Sequence, residues 1–173
     1  GVEIAALKDR FPEAAQIVRI MPNLPAALGK GVIAIHGTDG PDDETCALMA
    51  PLGLVEWIDD EGLLHLVAAL AASGPAFLYR FIDALGIAGA RLGLAPDQSA
   101  RLALAMVEGS AMLAAQSGEA PAMLADRVAS KGGMTREGLD VLDADEALVR
   151  LLTDTLAAAE KRSAEMGDAA RRT

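Results

Sequence analysis

The stretch from Leu63 to Leu85, LLHLVAALAASGPAFLYRFIDAL, decides the fold, because strand-like patterning gives way to helical patterning there. Its first apolar residues recur at the spacing of one helix face: Leu63, Leu66, Val67 and Leu70. After Ser73-Gly74-Pro75 the pattern resumes with Phe77, Phe81, Ile82 and Leu85. Because proline lacks an N–H and its ring clashes with the preceding turn, we predict a kink or two abutting helices at Pro75.

Helical patterning continues beyond this stretch. Pro96 and Pro121 each suit the first position of a helix. A Gly132-Gly133 break precedes another helix that begins near Met134. The last helix carries an apolar stripe made of Leu148, Leu151, Leu152, Leu156 and Ala159. We therefore predict an all-helical domain over residues 59–173.

Residues 1–58 alternate short strand-like runs with turns. Three runs predict strands, at residues 16–21, 31–36 and 54–58, and residues 41–52 have helical character. Buried strands of the parallel type need neighbouring strands and helices on both faces. We therefore expect residues 1–58 to be the tail of a larger α/β domain.

The composition favours helices and a large buried interface. Hydrophobic residues make up 52% of the chain and aromatic residues only 3%, so the apolar content is mostly Ala, Leu, Val, Ile and Met. The mean hydropathy of +0.29 indicates either burial against a partner or a membrane-bound chain. The uninterrupted apolar part, Leu66 to Tyr79, is shorter than the roughly 18–20 residues that span a bilayer. We therefore predict an oligomer interface and no membrane span.

Charge and cysteine content exclude other classes of function. The net charge is −10 and the pI about 4.6, so no basic face for nucleic acid is expected. The single Cys46 excludes an internal disulfide and favours a reducing compartment. With that cysteine and only His36 and His65, no metal-ligand spacing exists, and we expect no metal.

The loop Ala129 to Thr135, ASKGGMT, is the strongest candidate for chemistry. Its glycines let the backbone approach a ligand, and the helix beginning near Met134 directs N–H groups into the loop. Ser130 and Thr135 add hydroxyl groups. The arrangement predicts a pocket for a small anion such as a carboxylate. The alternative is an ordinary helix–helix turn in which Thr135 caps a helix.

Two other segments have a functional and a structural interpretation. Ser73-Gly74-Pro75 either lines a site with a serine and freed carbonyls or is a packing kink. Met21-Pro22-Asn23 follows the first strand, where ligands bind in open α/β sheets, or is a proline-rich turn. Residues 29–34 match G-x-G-x-x-A, but they precede a strand instead of opening a helix, so we reject a dinucleotide fingerprint there.

Four motifs resemble those of pyrroline-5-carboxylate reductases, in the same order and with the same spacing over nearly the whole chain. They are V-R-x-M-P-N-x-P at Val18 to Pro25, S-G-P-A-[YF] at Ser73 to Phe77, R-L-G-L at Arg91 to Leu94, and D-x-V-x-S-P-G-G-T-T with G-L from Asp126 to Leu139. One such motif is weak, and four in register are strong.

The resemblance implies a cytoplasmic oxidoreductase of proline biosynthesis with two domains. The fold would be mainly α, with a C-terminal all-helical dimerisation domain at residues 59–173. The last strands of a Rossmann α/β domain would precede it at residues 1–58. The helical domain would form a homodimer or higher homo-oligomer. NADPH or NADH would bind mainly to a Rossmann half that is absent here, so we expect this chain alone not to turn over.

The resemblance also implies roles for individual residues. A small cyclic imino acid, 1-pyrroline-5-carboxylate, would place its carboxylate against the loop residues Ser130, Gly132, Gly133, Met134 and Thr135. Thr135 would orient the substrate or its ring nitrogen and is the candidate catalytic residue. Met21, Pro22 and Asn23 would lie near the nicotinamide of the cofactor, with the kink Ser73-Gly74-Pro75 near the site.

Two positions depart from the family pattern and keep alternatives open. Lys131 replaces the family proline, and Met134 replaces the first threonine. A related imine or hydroxyacid reductase is one alternative, although hydroxyacid relatives place a lysine on the interdomain helix and residues 73–92 contain none. A helical dimerisation module without catalysis is the other.

Overall fold

A computed structural model describes residues 2–171 of the chain. By its internal contacts the chain divides into two compact units. The first comprises Gly1–Pro75 with Thr153–Thr173, and the second comprises Ala76–Leu152. The domain boundary that the sequence predicts between residues 58 and 59 stays a prediction.

The first unit contains a three-stranded mixed sheet. Its strands are β1 (Val18–Pro22), β2 (Gly31–Gly37) and β3 (Gly53–Trp57), in the order β1-β2-β3. Strand β2 pairs antiparallel with β1 and parallel with β3. Each predicted strand is present, shifted by at most two residues. Ile33 and Ile35 of β2 are fully buried, because β-branched side chains suit a strand that is covered on both faces.

Two short helices belong to the same unit, α1 (Ile4–Arg10) and α2 (Asp43–Met49). Asp42 caps α2 by accepting hydrogen bonds from the N–H groups of Glu44 and Thr45, both at 3.1 Å, and from the Thr45 hydroxyl. The Thr45 hydroxyl is the main cause that holds the pKa of the Asp42 carboxyl below its ordinary value. The sequence did not predict α1, whose first N–H group donates to a residue that is distant in the sequence.

Strand β3 starts at a point where two backbones nearly touch. Gly53 lies opposite Gly31 and has φ 141°, a conformation that L side chains rarely adopt. A Cβ atom added at Gly53 would overlap the carbonyl oxygen of Gly31 and lie 2.8 Å from its carbonyl carbon. Only glycine fits at this position.

The helical region starts with irregular turns. A 3₁₀ turn at Glu61–Leu63 leads into α3 (Leu64–Val67) and a π-helical turn at Ala68–Ala72, and α4 (Gly74–Arg91) follows. The predicted interruption before Pro75 is therefore present. The Ser73 N–H donates to the carbonyl of Ala68, five residues earlier, at 2.9 Å. Proline cannot continue the α-helical ladder, which is a common cause of such breaks.

A largely buried ion pair ties the irregular turn to the sheet. Arg19 of β1 pairs with Glu61 at 3.0 Å, and the same carboxylate oxygen accepts the Ile4 N–H at 2.8 Å. Glu61 thus caps the start of α1 across 57 residues of sequence. His65 Nδ1 lies 3.0 Å from Ser163 Oγ and links α3 to the last helix.

The remaining helices are α5 (Pro96–Ser117), α6 (Pro121–Val128), α7 (Met134–Asp143) and α8 (Ala147–Arg171). Helices α5 and α6 begin at the predicted prolines, as expected for the first helical position. Within the second unit α4 and α5 cross closely, because a Cβ atom at Gly86 would lie 3.3 Å from the Ala100 Cα.

The second unit buries almost nothing large by itself. In residues 76–152 the buried positions are Gly86, Ser99, Ala103 and Ala129. Large apolar side chains stay exposed, among them Phe81, Ile87, Leu102, Leu104, Met112 and Leu113. An exposed apolar surface of this extent marks an interaction surface.

The stretch Glu61–Arg91 is long and apolar enough to cross a membrane, judged by length and composition only. Within the chain, 11% of its most apolar window is buried. A helix in the core of a water-soluble assembly passes the same test. Arg80 and Asp83 form an ion pair of 3.3 Å within this stretch.

Candidate functional site

The loop between α6 and α7 is built on a tight turn. The Gly133 N–H donates to the Ser130 carbonyl at 2.9 Å, and Gly132 has φ 69°. A positive φ at the third position of a four-residue turn is the requirement of a type II turn, which glycine meets without strain. Lys131 occupies the second position, where proline is favoured. The family pattern of proline followed by glycine therefore has a physical reason here.

Helix α7 begins without a side-chain cap. Gly133 is the N-cap residue and carries no side chain, so the structure does not have the arrangement in which Thr135 caps the helix. Among residues 2–171, no hydrogen bond is made by the hydroxyls of Ser130 and Thr135 or by the N–H groups of Met134 and Thr135. Two hydroxyls and two N–H groups are thus available at one helix N-terminus, which is the chemistry that binds a small anion.

Gly133 also sets the position of the Ser130 hydroxyl. A Cβ atom at Gly133 would overlap the Ser130 Oγ and lie 3.1 Å from the Ser130 carbonyl oxygen. The serine hydroxyl therefore sits directly against the first turn of α7. Met134 is 91% exposed.

An ion pair that sequence reasoning missed joins the two ends of this loop. Arg136 in the first turn of α7 pairs with Asp126 in the last turns of α6 at 2.7 Å. The hydrogen bond that Arg136 donates to the Asp126 carboxylate is the main cause that raises the pKa of the Arg136 guanidinium, with smaller contributions from the charges of Asp126, Asp140 and Asp143. A spacing of ten residues across a loop carries no periodic signal, so no pattern in the sequence indicated this pair.

We expect single substitutions of this pair to loosen the loop. In Asp126→Asn and in Arg136→Gln, exchange of the Gly133 amide hydrogen should accelerate by up to about fivefold, because an exposed ion pair contributes little and its loss frees the loop ends. The doubly reversed variant, Asp126→Arg with Arg136→Asp, is the control and should restore part of the protection. Equal exchange in all four proteins at low salt would show that the pair does not hold the loop.

Within the first unit the structure brings together two segments that the sequence singled out, Met21-Pro22-Asn23 and the region of Ser73-Gly74-Pro75. Met21 and Pro22 end β1, and Asn23 follows. The Asn23 Nδ2 donates to the Ala71 carbonyl at 2.9 Å, and its Oδ1 accepts the Val32 N–H at 2.9 Å. The turn after β1 therefore contacts the π-helical turn that precedes Ser73-Gly74-Pro75. The loop from Ser130 to Thr135 belongs to the second unit.

A shallow groove of about 580 Å³ adjoins this turn. Its lining is mostly apolar and comprises Pro22, Asn23, Leu24, Ala26, Ala27, Leu52 and Ala72. Gly29 and Lys30 follow the 3₁₀ turn Leu24–Leu28, and residues 31–34 belong to strand β2, so residues 29–34 do not open a helix as a dinucleotide loop does. In the described part of the chain no three His, Cys, Asp or Glu side chains are grouped so that they could hold a metal ion.

Comparisons with known proteins point to one family. Residues 61–166 match the sequence model of the family described as pyrroline-5-carboxylate reductase dimerisation. The pyrroline-5-carboxylate reductase of Pseudomonas aeruginosa is 33% identical over 97% of this chain and 63% of its own length. That of Aquifex aeolicus is 38% identical over 83% of this chain and 55% of its own length.

Solved structures that resemble this chain belong to the same family. The pyrroline-5-carboxylate reductase of Coxiella burnetii superposes with a TM-score of 0.87 and 31% identity, over 95% of this chain and 62% of that one. The pyrroline carboxylate reductase of Plasmodium falciparum, solved with NADP bound, superposes with a TM-score of 0.78 and 26% identity, over 96% of this chain and 64% of that one.

The chain belongs to the pyrroline-5-carboxylate reductase family. The resemblance read from four motifs is thereby confirmed, and so is the fold class of a helical dimerisation domain preceded by the last strands of a Rossmann domain. The chain spans less than two thirds of the length of these relatives, from 55% to 64%.

Proposed function

We propose that the protein is an NAD(P)H-dependent pyrroline-5-carboxylate reductase, and that these residues are its dimerisation and substrate-binding part. The reaction reduces the C=N bond of 1-pyrroline-5-carboxylate to give proline. The observation that carries the proposal is the loop between α6 and α7. It offers two hydroxyls and two N–H groups without partners, at the positions where the family motif lies in this sequence.

The loop is suited to the carboxylate of a small cyclic imino acid. In this proposal the N–H groups of Met134 and Thr135 and the hydroxyl of Ser130 bind that carboxylate, and Gly132 and Gly133 let the backbone approach it. Lys131 adds a cation at the rim of the loop. Thr135 is the proposed catalytic residue, because its hydroxyl orients the substrate or its ring nitrogen.

The residues present fit the nicotinamide end of a dinucleotide and not its phosphates. The apolar groove beside Pro22 and Asn23 suits a flat ring, whereas residues 29–34 do not form a phosphate loop. NADPH or NADH, when bound, supplies the hydride that the imine carbon accepts. The contribution of Met21, Pro22 and Asn23 is to hold that end of the cofactor in position.

The exposed apolar faces suit a second copy of this chain. No side chain larger than alanine or serine is buried in residues 76–152, so the helices acquire a core only by packing against a partner. The family model described as pyrroline-5-carboxylate reductase dimerisation matches residues 61–166, which include most of these helices. Burial in a homodimer also explains the apolar stretch Glu61–Arg91 without a membrane. The single Cys46 fits the reducing cytoplasm expected from the sequence.

The proposal is tested by measuring pyrroline-5-carboxylate-dependent oxidation of NADPH and of NADH. The full product of the gene and the 173-residue chain are assayed side by side. We expect turnover by the full product and none by the chain alone, and the two rates give the cofactor preference. If the full product reduces another cyclic imine or a hydroxyacid precursor instead, the substrate assignment is wrong.

One observation favours a second candidate, a dimerisation module without catalysis. Met134 stands where the family has a threonine, and its 91% exposed side chain supplies no hydroxyl. In that case the full product would dimerise and would not oxidise either cofactor with any imine.

A further inference from the structure

Pro75 leaves one carbonyl of the interrupted helix without its α-helical donor. In an α-helix the N–H of residue 75 would donate to the carbonyl of Ala71, four residues earlier, but proline has no N–H, and Ala71 lies in the π-helical turn Ala68–Ala72 instead. A carbonyl removed from water needs a hydrogen-bond partner. Here the partner comes from outside the helix, because Asn23 Nδ2 donates to the Ala71 oxygen at 2.9 Å.

The other end of the same amide is bonded to the sheet. The Asn23 Oδ1 accepts the Val32 N–H at 2.9 Å, and Val32 lies in the central strand β2. One half-buried side chain therefore joins three elements: the turn after β1, the central strand and the break in the helix. These two hydrogen bonds give the asparagine that follows Met21-Pro22 a structural role.

The start of β1 is tied to the same helical segment. Arg19 pairs with Glu61 at 3.0 Å, with side chains only 16% and 26% exposed. Strand β1 is thus held at both ends to the segment between Glu61 and Ala72. The turn that contains Met21 and Pro22 cannot shift relative to this segment unless one of these bonds breaks.

We infer that Asn23 is a positioning residue of the reductase, an inference that rests on the proposed function. Its side chain supplies the N–H that Pro75 lacks and so fixes the backbone of Met21 and Pro22 beside the nicotinamide end of the cofactor. The side chain itself does not bind the cofactor. The competing role is that of a direct ligand, because an amide has two N–H groups and two acceptor lone pairs, and the protein uses one of each.

Pro75 provides a test that separates the two roles. Pro75→Ala restores an N–H that can satisfy the Ala71 carbonyl when the π-helical turn Ala68–Ala72 takes up α-helical spacing, so the donor of Asn23 becomes dispensable. Asn23→Asp removes that donor and keeps the acceptor for Val32, whereas Asn23→Ala removes both. A rescue of Asn23→Asp by Pro75→Ala is expected only if the asparagine acts through the helix.

The first measurement needs no catalytic activity and uses the 173-residue chain. Hydrogen exchange of the Val32 amide should accelerate about threefold to tenfold in Asn23→Ala and stay near the wild-type rate in Asn23→Asp, since a lost hydrogen bond has that effect. The urea midpoint of unfolding should fall in Asn23→Asp and recover in the double variant with Pro75→Ala. Absence of that recovery overturns the inference, whether or not the protein proves to be a reductase.

The second measurement uses the full product of the gene. Asn23→Asp should lower kcat between about tenfold and a hundredfold, because a misplaced nicotinamide reacts slowly, and leave KM for the dinucleotide within about twofold. Pro75→Ala in the same protein should return most of the lost kcat. A rise in KM for the dinucleotide that Pro75→Ala does not reverse would identify Asn23 as a cofactor ligand and overturn the inference.

Discussion

Replacing Gly53 with alanine should prevent the chain from holding its three-stranded sheet. The added Cβ atom would overlap the carbonyl oxygen of Gly31, and φ is 141° at this position. Overpacking costs about 1–3 kcal/mol and such a backbone conformation roughly another 1–3 kcal/mol. Because domains are stable by only about 5–15 kcal/mol, we expect a large loss of folded protein in urea titrations followed by circular dichroism.

Gly40→Ala is the matched control for this variant. Gly40 also has a positive φ, 83°, but an added Cβ atom would have no neighbour within 4 Å. The control should therefore cost only the backbone term of about 1–2 kcal/mol. If both variants unfold at the same urea concentration, the close approach of Gly53 and Gly31 is not what limits this position.

Removing the Thr135 hydroxyl should have the largest effect on the proposed reaction. Thr135→Val keeps the shape of the side chain and removes the group that would hydrogen-bond the substrate. A hydrogen bond to a charged group contributes about 1.5–3 kcal/mol, so kcat/KM for pyrroline-5-carboxylate should fall about tenfold to a hundredfold in the full gene product.

Thr135→Ser is the control, because it retains the hydroxyl at the start of α7 and should keep most of the activity. Melting temperatures measured in parallel exclude a folding defect as the cause. An unchanged kcat/KM in Thr135→Val would remove Thr135 from the catalytic machinery and leave the backbone N–H groups as the substrate contacts.

The parts of the fold that follow local chemistry could be predicted from the sequence. Helices α5 and α6 begin at Pro96 and Pro121, because proline suits the first turn of a helix and not its interior. The β-branched run in β2 predicted a buried strand, and the structure has it at Gly31–Gly37. The break before Pro75 followed from the missing N–H.

The parts that depend on distant partners could not be predicted. Helix α1 has no side-chain cap of its own and starts at Ile4 because Glu61 accepts its first N–H. The donor that satisfies the Ala71 carbonyl is similar: Pro75 predicts that one is needed, but nothing local identifies Asn23. The pair of Asp126 with Arg136 depends on the path of the loop between them.

The candidate site also has a part that the sequence predicts and a part that only the structure shows. Its residues came from a motif, and their roles stay predictions. What the structure adds is the reason for the motif's spacing. Gly132 provides the positive φ of the turn, and Gly133 leaves room for the Ser130 hydroxyl against the first turn of α7.

The small size of the buried residues in the second unit has a consequence for how variation in this protein is inherited. In the proposed homodimer two copies complete one core, and each substitution on the apolar helix faces occurs twice, once on each side of a twofold axis. A charge introduced at Phe81 would therefore harm mixed pairs as well as pairs of variant chains. Because the charge hinders a variant chain from pairing with either form, wild-type chains would pair with one another, so faults on this surface should behave as recessive traits.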